Sequence, residues 1–154
     1  MSLPRLTSED VTTDRSTRQA QLKWVIVVDE TLPAGRAANA AACMAAAVGK
    51  ALPHLLGPDG KDASGAVHPG LPWAGCTVLA ADAETLREVR AKAAAKDEIL
   101  IVDMPESAQT SRVYDEYLDA LAATGEDGLN PCGISVVGPR NRIDRLVGRL
   151  GLLH

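Results

Sequence analysis

The sequence predicts one α/β domain, a three-layer α/β/α sandwich around a mixed, mostly parallel four-stranded sheet. Four short runs of β-branched and aliphatic residues alternate with segments of helical periodicity, and crossover helices make consecutive strands parallel. The chain has 154 residues, of which 46% are hydrophobic, which is enough for one full core. We expect this domain over residues 22–154. Residues 1–21 mix polar side chains without apolar periodicity, which is typical of a flexible tail.

The first strand and first helix carry the clearest pattern. Residues 24–28 read Trp-Val-Ile-Val-Val and are followed by Asp29, as in a buried strand that ends at a turn. A helix is predicted over 34–52, where Pro53 ends it. It has one apolar stripe at Ala37, Ala41, Met44 and Val48, and a second at Ala40, Cys43 and Ala47. Because a helix that is apolar all round is buried all round, we expect a homodimer through this helix.

The remaining elements follow in regular order. Strands are predicted at 76–80, 99–102 and 133–137, and helices after Asp82, at 110–124, and after Gly138-Pro139. Asp82 is expected to cap its helix. The segment 53–75 is rich in Gly, Pro and Asp and is longer than ordinary connections. Within it Leu55-Leu56 and Ala66-Val67, which flank residues 62–65, could pair as a short hairpin. The length of the segment predicts a lid over the binding crevice.

Charge and composition exclude several classes of protein. The net charge is −4 and the pI about 5.3, which opposes broad affinity for nucleic acid. Arg142, Arg145 and Arg149 share one helix face that could follow an RNA backbone, but a solvated face is favoured, so RNA is a possible partner that we do not favour. Three cysteines without Cys-x-x-Cys spacing argue against disulfides and zinc. No run of about 18 apolar residues and no signal-peptide pattern occurs, so we expect a cytoplasmic protein without membrane contact.

Three collinear segments resemble a known family. They are residues 23–49, residues 78–102 with Ala-Glu-Thr-Leu at 83–86, and Gly138-Pro139 with the tail to Leu150. These segments resemble the archaeal and eukaryotic-type peptidyl-tRNA hydrolases. The chain is more closely similar to an uncharacterised bacterial family, known only as a domain of unknown function, that shares the hydrolase fold. The resemblance implies this fold and homodimerisation.

The resemblance also assigns positions in the hydrolase site. Gly35 and Cys43 match the family, and Arg36 stands where the hydrolases have their first lysine. Alanines occupy the positions of the second lysine, the glutamine and the histidine, namely Ala38, Ala42 and Ala45. The family's catalytic aspartate falls on Asp103 and its following threonine on Thr110, with an inserted helix at 110–124. Catalytic roles for Asp103 and Thr110 are therefore implied by the resemblance.

Ligands of such sheets bind beyond the carboxyl ends of the strands, where we expect Asp29, Asp103 and Gly138. Asp29 and Asp103 could form a paired-carboxylate site for acid/base work or for a divalent cation, or each could cap the following helix or turn. Arg36, in the first turn of its helix, could clamp an anion or form a surface salt bridge with Glu30 or Asp29.

Two further residues are candidates for ligand contact. His68 could be a general base or a lid contact, or simply a solvated loop histidine. Gln109 lies at a helix start, where it could bind a ligand or serve ordinary capping. Gly138-Pro139 lacks the glycines and lysine of a phosphate loop, and we predict neither a metal nor a cofactor.

Three functions remain open from the sequence. The leading hypothesis is a protein that binds a small anionic or acylated ligand at the strand-end crevice, with Arg36 orienting the ligand and Asp103 and Thr110 contacting its polar part. The alternative is an ester hydrolase acting on peptidyl-tRNA or a similar acyl ester. The third is a structural or interaction protein without a small-molecule site, which a large apolar surface would favour.

Overall fold

The computed structural model describes residues 2–154 and contains a four-stranded mixed sheet, a small hairpin and five α-helices. In chain order the elements are β1 (Leu22–Asp29), α1 (Ala34–Ala51), β2 (Gly60–Lys61), β3 (Val67–His68), β4 (Thr77–Ala81), α2 (Ala83–Ala94), β5 (Leu100–Pro105), α3 (Glu106–Thr110), α4 (Tyr114–Ala122), β6 (Pro131–Pro139) and α5 (Arg140–Val147). The four strands of the main sheet lie where the apolar runs predict them.

The main sheet has the strand order β4-β1-β6-β5. β1 pairs parallel with β4, whereas β6 pairs antiparallel with both β1 and β5. Three strands therefore run in one direction, but only one of the three pairings is parallel, which corrects the expectation of a mostly parallel sheet. The reversal also moves Gly138: it pairs with Lys23 at the start of β1, at the sheet edge opposite Asp29. Gly138 is thus outside the predicted strand-end crevice.

Helices cover both faces of the sheet and form three layers. On one face α1 buries Ala37, Ala40, Met44 and Val48 against a cluster that includes Trp24, Ile26 and Val28. On the other face α2 and α5 bury Leu86, Val89, Ala93, Ile143, Leu146 and Val147 against Val25, Val27 and Ile134. The alternation of β1 side chains between the two clusters is the period of two expected of a strand. Asp82 caps α2 by accepting a hydrogen bond from the Thr85 backbone N–H at 2.7 Å, which confirms the predicted cap.

The core holds one buried polar side chain among the described residues. Ser135, on β6, is fully buried, and its hydroxyl accepts a hydrogen bond from the Trp24 indole N–H at 2.8 Å. Because an unpaired hydroxyl in a core is costly, this contact fixes the register of β1 against β6.

The region between β5 and β6 differs from the single helix predicted over 110–124. It contains two shorter helices, α3 and α4, separated by residues 111–113. No residue of α4 is buried, although Tyr114, Leu118 and Leu121 are large hydrophobic residues. The connection begins and ends at the same edge of the sheet, which is why β6 runs opposite to β5.

Residues 2–21, which belong to the predicted flexible tail, lie against the domain. Pro4 and Ala20 are buried, and Leu6 packs on the core. The Arg140 guanidinium donates hydrogen bonds to the backbone oxygens of Ala20 and Thr17 at 2.7 and 2.8 Å. These contacts tie the segment to the first turn of α5.

The long segment 53–75 folds back on itself. Its two arms are joined by backbone hydrogen bonds from Gly57 to Leu71 and from Trp73 to Leu55, and its tip is the β2–β3 hairpin. The segment begins at the end of α1 and ends at the start of β4, and both points lie at the sheet edge where β1 begins. The predicted lid over the opposite edge is therefore wrong. The hairpin itself pairs residues 60–61 with 67–68.

None of the helices described within residues 2–154 is long and apolar enough to cross a membrane.

Candidate functional site

The carboxyl end of β1 begins the edge where the ligand site was expected. Asp29 accepts hydrogen bonds from the backbone N–H and the hydroxyl of Thr31, at 2.8 and 2.7 Å. This is an Asx turn, the structure that the turn-capping interpretation predicts. The same Asp29 oxygen receives both bonds, which leaves its second oxygen at the edge of the sheet.

Arg36 and Gln109 meet at this edge and join α1 to α3. Arg36 Nε donates to Gln109 Oε1 at 2.9 Å, and Gln109 Nε2 donates to the Arg36 backbone oxygen at 2.8 Å. Gln109 Nε2 also lies 3.3 Å from Asn39 Oδ1. These hydrogen bonds engage the side-chain amide of Gln109 and the Nε–H of Arg36. The two residues were predicted separately as ligand contacts, and the fold brings them together as a clamp between helices.

Cys132, at the start of β6, lies under the clamp. Arg36 Nη2 is 4.0 Å from its Sγ, and the residue is 7% exposed. Burial raises the pKa of the Cys132 thiol, with a smaller opposing effect from Arg36. A thiol with a raised pKa is a weak nucleophile. Beside it, Asn130 Nδ2 donates to Glu106 Oε2 at 3.0 Å.

Asp103 directs its carboxylate toward α2. Arg90 Nε and Nη2 donate to the two Asp103 oxygens at 2.7 and 3.0 Å, and Arg90 Nη1 donates to Glu126 at 3.0 Å. Hydrogen bonding to Asp103, more than any other contact, raises the pKa of Arg90. Both carboxylate oxygens of Asp103 are thus held by an arginine, in the two-pronged geometry typical of arginine–carboxylate pairs.

Three other predicted residues lie apart from this edge or make only local contacts. The Thr110 hydroxyl donates to the backbone oxygen of Glu106 at 3.2 Å, within its own helix. Within residues 2–154 it forms no hydrogen bond with Asp103. His68 Nε2 lies 3.0 Å from Asp62 Oδ2 in the projecting hairpin. Gly35 opens α1 on the surface, where a side-chain Cβ would meet no atom within 4 Å.

Two of the three arginines predicted to share a helix face are held by acidic partners, although Arg149 lies just beyond the end of α5. Arg142 lies 3.1 Å from Glu98, and Arg149 lies 3.5 Å from Glu88. These pairs are the arrangement that a solvated helix face predicts.

A groove of about 470 Å³ lies between α1, β5 and the α3–α4 region. Apolar side chains line most of it: Met44, Ala47, Val102, Met104, Ala108, Val113, Tyr114 and Tyr117, with Cys43. Ser111, Arg112 and the arginine-paired Asp103 add polar groups. The two tyrosine rings pack edge to face with centroids 5.4 Å apart, and burial raises the pKa of Tyr117. The volume is in the range of small-molecule sites, which are typically lined by apolar groups with a few polar ones.

Arg90 and the two tyrosines were not predicted from the sequence as site residues. Arg90 is four residues after the buried Leu86 and so lies beside the inner stripe of α2. The tyrosines are two of only four aromatic residues in the chain and are three residues apart. That concentration of scarce aromatic side chains on one helical turn was the available signal.

No group of three or more His, Cys, Asp or Glu side chains in residues 2–154 is placed to hold a metal ion. Likewise, no buried side-chain nitrogen or oxygen in this part of the chain lacks a hydrogen-bond partner.

Comparison with known proteins places the chain among proteins whose function is not established. A solved structure titled as a protein of unknown function, Atu0240 from Agrobacterium tumefaciens strain C58, superposes with a TM-score of 0.80 at 17% identity, over 86% of this chain and 97% of the other. At that identity the likeness concerns the fold alone. No curated protein sequence matches. The family model described as "Protein of unknown function (DUF2000)" matches residues 22–154, and the chain therefore belongs to that family.

Proposed function

We propose that this protein binds a small acylated anion and does not catalyse a reaction on it. The observation that carries the proposal is the groove between α1, β5 and α4, an apolar cleft of about 470 Å³ with an arginine at its side. The groove borders the carboxyl half of β5, so it takes the place of the strand-end crevice expected from the sequence.

The lining of the groove favours a hydrocarbon chain. Met44 and Ala47 line it from α1, and Val102 and Met104 line it from the sheet. Each methylene removed from water against such side chains contributes about 0.8 kcal/mol. A medium-length acyl chain would therefore gain several kcal/mol of binding free energy in this cleft.

Arg112 is the group that would select an anionic head. It is exposed and, within residues 2–154, forms no ion pair. A guanidinium can bind a carboxylate or phosphate with two parallel hydrogen bonds. Arg36 has a supporting role in this proposal, because its pair with Gln109 fixes α3, which forms one end of the groove, against α1.

Two contacts argue against the hydrolase alternative. Both Asp103 oxygens accept bonds from Arg90, and Thr110 donates its hydroxyl to its own helix. A general base must reach the proton that it removes, and here the carboxylate is engaged by the arginine of α2. We expect no measurable turnover of peptidyl-tRNA.

We also propose that the fold is that of the archaeal and eukaryotic-type peptidyl-tRNA hydrolases. The three segments that carry the resemblance correspond to β1–α1, β4–α2–β5 and α5, which include three of the four strands of the main sheet and helices on both of its faces. The alanines at the family's polar positions, Ala38, Ala42 and Ala45, are consistent with a fold that has been kept without the hydrolase chemistry.

A homodimer through α1 is part of the same proposal. In the single chain α1 leaves Ala38, Ala42 and Ala46 exposed outside the lining of the groove. Small side chains let two helices approach closely. Ala40, which belonged to the predicted dimer stripe, is fully buried against the sheet. We therefore place the proposed contact surface on the exposed residues Ala42 and Ala46 instead.

Ligand binding is tested by isothermal titration calorimetry with decanoate, below its micelle concentration, and with decanol, below its solubility limit. We expect saturable decanoate binding to the wild type and at least about a tenfold weaker affinity in Ala47→Phe, because the new ring fills the groove. The matched control is Ala91→Phe, on the exposed side of α2 and outside both the groove and the proposed dimer surface, which should bind normally. Arg112→Gln should weaken decanoate but not decanol. Absence of decanoate binding, or equal affinity in both Phe variants, would overturn the proposal.

The dimer is tested by light scattering at micromolar concentration. We expect a wild-type dimer and a monomeric Ala42→Arg variant, since a charge at a close helix contact cannot be desolvated cheaply. Ala91→Arg, on the exposed side of α2, is the control and should leave the dimer intact. A monomeric wild type would show that the interface is wrong.

A further inference from the structure

A second cavity lies at the opposite edge of the sheet, between residues 17–24, the start of β4 and the first turn of α5. Its volume is about 330 Å³. Three of its lining residues are cationic, Arg18, Lys23 and Arg140, and none is acidic. In a chain with a net charge of −4, such a concentration of positive charge needs an explanation.

Arg140 is held in place by backbone groups. Its Nε and Nη2 donate to the backbone oxygens of Ala20 and Thr17, so the guanidinium is oriented. Within residues 2–154 it lies in no salt bridge, and the same is true of Arg18. Carbonyl oxygens orient a guanidinium but do not neutralise its charge, so the cavity keeps a net positive charge.

Lys23 has one acidic partner. Its Nζ lies 2.5 Å from Asp144 Oδ1, in a pair that is partly exposed on both sides, and Asp144 is not part of the cavity lining. Even with this pair counted as neutral, two arginines face the cavity without a counter-ion. Thr17 and Thr77 belong to the same lining, and a threonine hydroxyl is able to donate a further hydrogen bond to an anion.

We propose that this cavity binds the phosphate group of a small phosphomonoester. A phosphomonoester carries about −1.5 to −2 charges at neutral pH with three acceptor oxygens, which matches two guanidinium groups without a counter-ion. Arginine suits this role because its fixed fork of donors fits phosphate geometry. The cavity is larger than a phosphate group alone needs, which leaves room for a small organic part beside Ala74 and the buried Trp24. The site is separate from the acyl groove and does not depend on it.

Part of the site comes from outside the family match. Arg18 and Thr17 precede residue 22, where the match to the DUF2000 family begins, and a short helical turn at Thr17–Gln19 places them. Phosphate binding would thus depend in part on residues that precede the family domain.

The test is titration calorimetry of the full chain with phenyl phosphate at fixed ionic strength. Two charge-assisted hydrogen bonds from the guanidinium groups to the phosphate predict a Kd of about 1 mM or below. Arg18→Gln should weaken binding by about tenfold, since it removes one unpaired guanidinium. Arg145→Gln is the matched control, because it removes the same charge from an exposed part of α5 outside the cavity, and it should change the Kd less than twofold.

Three results would overturn the assignment. The first is no phenyl phosphate binding by the wild type at 10-fold the expected Kd, about 10 mM. The second is an equal loss in Arg18→Gln and Arg145→Gln, which would indicate only a general charge effect. The third is a stronger response to benzoate, or to single-stranded RNA at equal phosphate concentration, which would assign the charge to carboxylates or to a nucleic acid backbone instead. Arg140→Lys provides a second variant, expected to weaken binding while keeping the positive charge.

Discussion

Replacing Asp103 with asparagine separates a structural role of this carboxylate from a catalytic one. The side chain is 23% exposed and its partner Arg90 is 20% exposed, so the pair is mostly shielded from water. The asparagine side chain would keep the shape but lose the charge and one acceptor, and it would leave the partly buried Arg90 guanidinium with only the exposed Glu126 as a counter-charge.

The expected loss in the free energy of unfolding lies between the values known for exposed and for fully buried ion pairs. Exposed ion pairs contribute about 0–1 kcal/mol, whereas breaking a fully buried pair costs about 3–5 kcal/mol. For a pair that is about four-fifths shielded, we expect a loss of about 2 kcal/mol in the free energy of unfolding. In a domain of this size that corresponds to a decrease in Tm of about 4–8 °C.

The assay is urea denaturation of Asp103→Asn, Arg90→Gln and the double variant. A coupling free energy of about 1 kcal/mol or more is expected between the two sites. Glu126→Gln is the control: its side chain is 74% exposed although it also contacts Arg90, so it should cost less than about 0.5 kcal/mol. A change in Tm below about 1 °C in Asp103→Asn, or additive single variants, would refute a stabilising pair. Peptidyl-tRNA turnover that Asp103→Asn abolishes would restore the catalytic role.

Other predictions concern a thiol, the hairpin and the core. Surrounding protein atoms shield the Cys76 thiol from water and raise its pKa to about 12, although part of the residue is exposed. At pH 8 iodoacetamide should therefore modify Cys43, the exposed cysteine of α1, well before Cys76, as followed by peptide mass spectrometry. Hydrogen bonds, first from the Ser64 hydroxyl, hold the pKa of Asp62 well below its usual range. That contribution to hairpin stability is present above the unfolded pKa, near about 4, and is lost as pH falls through the folded pKa, so Asp62→Ala at pH 7 should speed amide exchange in the hairpin alone. Trp24→Phe leaves the buried Ser135 hydroxyl without its donor and should cost about 2 kcal/mol in urea unfolding, part of which Ser135→Ala in that background restores.

The sequence predicted the elements whose signals are local. The β-branched run of β1 indicated a buried strand, and its five central residues, 24–28, are buried. The inward stripe of α1 was also right for Ala37, Met44 and Val48. Such patterns follow from the periods of strand and helix, which any window of the chain displays.

Strand direction and side-chain partners have no such local signal. The apolar run of β6 is compatible with either direction, and its reversal depends on α3 and α4, of five and nine residues, staying at one edge of the sheet. In the same way, the sequence shows a carboxylate at Asp103 but not which face of β5 it occupies, so its pairing with Arg90 could not be predicted. The groove exists only because α1, β5 and α4 come together in space.

The central position of β6 has a consequence for how the protein is made. β6 is the last strand to be synthesised, yet it lies between β1 and β5, and its bond from Ser135 to Trp24 spans 111 positions of the chain. Until this strand leaves the ribosome, the growing chain holds a β1–β4 pair and an unattached β5, with open backbone edges on both. Closing so long a loop is slow, and unpaired edges invite association with other chains. Nascent chains stalled before residue 131 are therefore the form of this protein most in need of chaperones.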